Sequence, residues 1–294
     1  MKFLVIGRSG QVARSLAERV NLRPDLELVA VGRPDLDLEV SGSAERAIAA
    51  AGADVVVNAA AYTAVDQAED EPDLAFRING EGAGEVAAAA ARLGAPIIHL
   101  STDYVFDGRS EGAYTEDSAV NPINVYGRSK LVGEEMVREA NSRHLILRTA
   151  WVYSPFGRNF VKTMMAAAET HDCLTVVDDQ RGNPSSALDL AEGIIRIADM
   201  WGRSLSTSVG TYHLAGTGTA SWFGFAQAIM EGCKIHKLPA AEVRPVSSDE
   251  WPTRAVRPRI SVLDCSRFTR DFGFSMPEWP QSLAKVVERL AAER

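Results

Sequence analysis

The sequence predicts an α/β fold built on a doubly wound parallel sheet, followed by a smaller C-terminal region. Three observations predict it. Short, nearly continuous apolar segments alternate with helical patterns through the first 150 residues, which is the rhythm of right-handed βαβ units. The first apolar segment runs directly into a glycine turn, Gly7-Arg8-Ser9-Gly10-Gln11-Val12, and then a helix. A fourth apolar segment leads into Ser101-Thr102-Asp103-Tyr104, and Tyr126-Gly127-Arg128-Ser129-Lys130 follows a short loop later.

The segments at residues 3–6, 26–31, 54–58, 96–100 and 145–147 are rich in Val, Ile and Leu, as strands buried on both faces are. The turn after the first lets backbone N–H groups approach a pyrophosphate at the positive end of the following helix. Helices are predicted over 74–93, where an alanine run packs closely on a sheet, and over 126–139. After Thr149 the rhythm breaks. Residues 151–153, a helix near 159–168, a strand at 175–177, helices at 188–200 and near 221–231, and a final helix from Gln281 form the second half. The Pro- and Arg-rich segment 251–259 reads as an ordered loop facing a ligand. We therefore divide the chain into a dinucleotide-binding domain, 1–150, and a mainly substrate-binding region, 151–294, with some segments returning to the main sheet.

Composition narrows the function. The formal net charge of −8 argues against nucleic acid as a partner, because phosphate backbones recruit basic surfaces. No apolar run approaches the roughly 18 residues of a membrane span, and Met1-Lys2 leads at once into a strand rather than a signal-peptide layout. Cys173, Cys233 and Cys265 are odd in number and far apart, as reduced packing residues of a cytoplasmic protein are.

Tyr126 and Lys130 share one face of a helix, one turn apart. An ammonium beside a phenol favours phenolate, so Lys130 is expected to pull the Tyr126 pKa below its usual value of about 10. Thr102 offers a hydroxyl to the same reacting oxygen. Such a site reduces or oxidises a carbonyl beside a bound hydride donor. At the cofactor end, the second strand leads into Arg33, and Arg8 lies in the glycine turn. Arginine there accommodates a 2′-phosphate and points to NADPH, with NADH open as an alternative donor. Asp37 and Leu38 are placed to grip an adenine ring, and the small residues of Asn58-Ala59-Ala60-Ala61-Tyr62 leave room for the cofactor.

With these residues in view, the chain resembles the extended short-chain dehydrogenase/reductases, which carry a Rossmann sheet. More closely it resembles the dTDP-4-dehydrorhamnose reductase family. The likeness covers nearly the whole chain through Gly7–Gln11, Asn58–Asp66, His99–Gly108, Asn124–Gly127, Arg148–Tyr153, Asn159–Val161, Asp179-Gln180 and Arg257-Pro258. The resemblance implies NAD(P)H-dependent reduction of the C4 ketone of a dTDP-4-keto-6-deoxy-L-hexose, a nucleotide sugar. Tyr126 is then the proton donor, Lys130 the ribose ligand, and Thr102 the hydrogen-bond partner of the oxygen. It further places Ala61, Tyr62 and Thr63 along the cofactor, Asp103 and Trp151 by the sugar, and Asn159 and Arg257 by the nucleotide phosphates.

Related 4,6-dehydratases carry Asp-Glu after the Thr, because elimination needs a second carboxylate. Here Asp103 is followed by Tyr104, which implies reduction. Ala13 replaces the third small residue of the turn. Some family members hold Mg²⁺ between subunits with two glutamates; Ser15 and Leu188 stand at the matching positions, so no metal and a monomer or a dimer without a metal bridge is expected. Two other readings remain open: a reductase of a different nucleotide 4-ketosugar, and a non-catalytic NADP-binding regulatory subunit.

Overall fold

The protein is described by a computed structural model covering residues 1–203 and 209–294. The first half runs β1 (Lys2–Ile6), α1 (Gln11–Val20), β2 (Glu27–Val31), α2 (Ser43–Ala51), β3 (Val55–Asn58), α3 (Val65–Ala68) and α4 (Pro72–Phe76). A π-turn (Arg77–Glu81) leads to α5 (Gly82–Arg92), β4 (Ile97–Thr102), a 3₁₀ turn (Asp103–Val105), α6 (Val125–Ala140) and β5 (His144–Thr149). The second half continues β6 (Val152–Tyr153), α7 (Phe160–Ala167), β7 (Cys173–Val177), β8 (Arg181–Gly182), β9 (Ser185–Ser186) and α8 (Ala187–Arg203). It closes with β10 (Gly210–His213), β11 (Ala220–Ser221), α9 (Trp222–Ile235), β12 (Glu242–Val246), α10 (Ser266–Phe272) and α11 (Trp279–Ala292).

Six strands form one parallel sheet in the order β10-β5-β4-β3-β1-β2. The predicted doubly wound α/β architecture is present. Successive side chains of β1 explain its continuous apolarity: Phe3 and Val5 pack with Leu16 of α1, Ile194 of α8 and Phe268 of α10, whereas Leu4 and Ile6 pack with Ile48 of α2, Val86 of α5 and Val137 of α6. A separate core joins α7, α9 and α11 through Val161, Phe225, Ile229, Leu283 and Val287. The direction of winding reverses between β1 and β3, and the crevice outside their carboxyl ends is where such sheets bind ligands.

The structure departs from the sequence pattern in three places. The helix expected over 74–93 is interrupted by the π-turn, because Asn79 turns inward to bond Ser129 Oγ (3.0 Å) and the Tyr62 carbonyl (3.0 Å). β4 and β5 each run on to a threonine, Thr102 and Thr149, past the point where the apolar run ends. α2, α10 and β12 were not predicted. β12 pairs with β7 outside the main sheet and is largely exposed, so it carries no apolar signature.

Candidate active site

The glycine turn is shaped for a close backbone approach. Gly7 has φ +107°, and a Cβ there would sit 3.0 Å from the Ala60 nitrogen. Helix α1 begins at Gly10 with no side-chain cap, leaving its first N–H groups free to meet an anion. In front of it opens a cleft of about 950 Å³. Gly7, Arg8, Gly10, Gln11, Val12, Arg33, Asp37, Leu38, Ala61, Tyr62, Thr63, Tyr126 and Lys130 all line this cleft. Gln11 also reaches across the fold: its carbonyl accepts from Ser154 Oγ (2.9 Å) and Asn159 Nδ2 (3.0 Å).

The arginines at the adenine end are paired with carboxylates. Arg8 bonds the Arg33 carbonyl (2.6 Å) and Asp35 (3.3 Å), while Arg33 pairs with Asp37 (3.1 Å) and Glu39. These guanidiniums are largely solvated, and exposed pairs of this kind exchange partners at a cost of about 0–1 kcal/mol.

At the other end of the cleft, Asn124 caps α6 by accepting from the Gly127 nitrogen (2.7 Å), and Glu69 accepts from the Val125 nitrogen (2.7 Å). That double hold sets the first turn, which presents Tyr126 edge-on to Tyr104 at 5.7 Å. The Thr102 hydroxyl neighbours the Tyr126 phenol and donates to Asp103 Oδ1 (3.0 Å). The expected depression of the Tyr126 pKa is not found. Burial pushes the phenol up to about 12. Lys130 instead donates to the Leu100 carbonyl (2.7 Å) and lies 3.4 Å from His99 Nε2, and burial brings its own pKa down to about 8. Tyr126 is accordingly a neutral phenol near pH 7, the form that donates a proton.

Asp103 is buried beside this pair, and its Oδ2 has no hydrogen-bond partner. Burial pushes its carboxyl up to about 7, with the nearby Ser261 and Thr102 hydroxyls acting the other way. Trp151 follows β5 with φ +47°, a strained conformation for a tryptophan, and its indole stacks on Trp222 with centroids 3.6 Å apart. Arg257 is held by both carboxylate oxygens of Asp66 and lies beside the Tyr104 phenol. Asn159, expected at the phosphates, has its amide occupied: it caps α7 through the Lys162 nitrogen and donates to Gln11, Ser154 and Phe156. Asn159 is thereby linked to Gln11 in the cleft wall. Asp103, Trp151, Asn159 and Arg257 lie outside the cleft lining, as does Thr102.

Sequence reasoning missed the polar groups beneath the site. Asn79 clamps Tyr62 through both its backbone groups, and Glu134 forms a buried ion pair with Arg148. Glu134 carried a readable signal, since it falls one turn beyond Lys130. At the sites compared with metal-holding relatives, Ser15 is fully buried in α1 and Leu188 is half-buried in α8. Among the described residues no group of His, Cys, Asp or Glu could hold a metal ion, and no helix is long and apolar enough to cross a membrane.

Residues 1–292 match the family model described as RmlD substrate binding domain. The chain belongs to this family. A dTDP-4-dehydrorhamnose reductase of Sinorhizobium fredii is 45% identical over 294 residues, covering 100% of this chain and 99% of the relative. Among solved structures of the family, the dTDP-4-dehydrorhamnose reductase of Clostridium acetobutylicum matches with a TM-score of 0.91 and 37% identity, covering 99% of each chain. The Bacillus anthracis enzyme, solved in complex with NADP, matches with a TM-score of 0.90 and 33% identity, covering 98% of this chain and 99% of that one.

Proposed function

We propose that the protein reduces the C4 ketone of dTDP-4-dehydro-L-rhamnose to dTDP-L-rhamnose with NADPH. The observation that carries this is the pair Tyr126 and Lys130 in the wall of a cleft shaped for a dinucleotide, in a chain similar over its whole length to reductases of that name. The residues fit the cofactor. The φ of Gly7 and the uncapped start of α1 suit a pyrophosphate, Asp37 and Leu38 an adenine, and Lys130 a ribose hydroxyl.

The reduced nicotinamide supplies a hydride when bound. Tyr126 gives its phenolic proton to the C4 oxygen as that oxygen becomes an alkoxide, and the Thr102 hydroxyl steadies the same oxygen. Asp103 and Trp151 are assigned to the sugar, and Arg257 to a phosphate oxygen, with Asp66 holding the guanidinium in place. Tyr104 leaves no second carboxylate to serve an elimination.

The test is oxidation of NADPH and of NADH with enzymatically generated dTDP-4-dehydro-L-rhamnose, the product identified by NMR. Formation of dTDP-L-rhamnose supports the reading. Cofactor binding without turnover moves the substrate to another ketosugar. Preference for NADPH is expected to depend on Arg33: Arg33→Ala raises the KM for NADPH about fivefold, as for an exposed charge-assisted contact, and leaves that for NADH unchanged. An equal change in both constants removes Arg33 from phosphate recognition.

A further inference from the structure

One face of α6 carries Tyr126, Lys130, Glu134 and Arg138 at successive one-turn spacings. Opposite them β4 presents Leu100, Ser101 and Thr102. Tyr126 meets Thr102, Lys130 meets the Leu100 carbonyl, and the third rung is Glu134 with Ser101. The Glu134 carboxylate is fully buried and accepts four hydrogen bonds: Ser101 Oγ (2.6 Å), Arg148 Nε (2.8 Å), Arg148 Nη2 (2.7 Å) and Arg138 Nη2 (2.9 Å). Ser101 immediately precedes Thr102, so its bond to Glu134 fixes the strand backbone from which Thr102 reaches Tyr126.

We propose that Glu134 is a positioning residue of the reductase site, tying α6 to β4 and setting a carboxylate one helical turn from Lys130. The proposal rests on the reading of this site as a reductase. Lys130 is buried, and desolvation draws it toward the neutral amine; the Glu134 carboxylate opposes this. The other groups around Lys130 supply no such support. His99 on β4 is buried and held neutral, Arg138 on α6 and Arg148 on β5 are cationic, Tyr126 is a neutral phenol, and Asp103 faces Thr102 and Tyr126. A fully bonded carboxylate is also well suited to stay ionised in a buried place: its pKa is lowered despite desolvation, chiefly by Arg148.

The experiment is a ¹³Cε NMR titration of the chain's six lysines without cofactor, with the Lys130 signal assigned by its loss in Lys130→Arg. In Glu134→Gln the Lys130 midpoint moves down by about one pH unit, and in Glu134→Asp it returns toward the wild-type value. The basic limb of kcat against pH moves with it, so that kcat at pH 8 falls about fivefold in the Gln variant. An unmoved Lys130 midpoint in Glu134→Gln overturns the proposal, whatever happens to stability. Should that variant fail to fold, Glu134→Asp and Ser101→Ala remain. Ser101→Ala cuts the tie to β4 alone and is expected to lower kcat severalfold with the Lys130 midpoint in place; wild-type kcat there overturns the positioning role. Wild-type protein that shows the titration yet reduces no dTDP-4-ketosugar fails the functional reading and not this inference, which the NMR judges by itself.

Discussion

Tyr126→Phe is expected to keep NADPH binding and lower kcat by about 10²-fold or more, the usual loss on removing a general acid. The substitution deletes only the hydroxyl, so the ring keeps its edge-on contact with Tyr104 and α6 keeps its Asn124 cap. Single-turnover kinetics beside a cofactor-binding titration separates the two effects. A kcat near wild type removes Tyr126 from proton donation. The pH dependence should carry a signature as well. With its phenol pushed up to about 12, Tyr126 stays protonated across the neutral range, whereas Asp103 loses its proton near pH 7 and Lys130 near pH 8. Activity is therefore expected to fall as pH rises through about 8, well before the tyrosine titrates.

Gly133→Ala is expected to be strongly destabilising. Gly133 lies where α6 crosses the π-turn, and a Cβ would stand 2.0 Å from the Asn79 carbonyl oxygen and 3.2 Å from its carbon. Both are backbone atoms, so no flexible side chain can swing aside. Overpacking of this kind costs about 1–3 kcal/mol or more, which predicts a fall in Tm on the order of 5 °C. Because the Asn79 side chain clamps Tyr62 at the cleft wall, NADPH affinity should drop as well. Gly112→Ala is the control, since nothing lies within 4 Å of a Cβ there. A Gly133→Ala protein as stable as that control would show that α6 and the π-turn slide apart without penalty.

Much of the sheet was legible because β1, β3, β4 and β5 are buried on both faces, which leaves a run of apolar residues rather than an alternation. The glycine turn and the Tyr126–Lys130 spacing were legible because each is a local constraint, one on φ and one on helical phase. The π-turn was not. It arises from a hydrogen bond between Asn79 and Ser129, 50 residues apart, which no local pattern encodes. The Tyr126 pKa was misjudged for a related reason. Spacing shows that a lysine is near, but only the fold shows that both groups are buried and that the amine bonds the Leu100 carbonyl.

The clasp between Arg257 and Asp66 spans 191 positions of sequence, whereas Thr102, Tyr126, Lys130 and Glu134 all come from two adjoining elements. A nascent chain emerges N-terminus first, and domains fold as their parts become available. The residues of β4 and α6 are thus all made long before Arg257 is. The face on which Arg257 and Tyr104 meet closes only when residue 257 has been made and has folded back over α3. The Arg257–Asp66 clasp is therefore a late contact in the making of the chain.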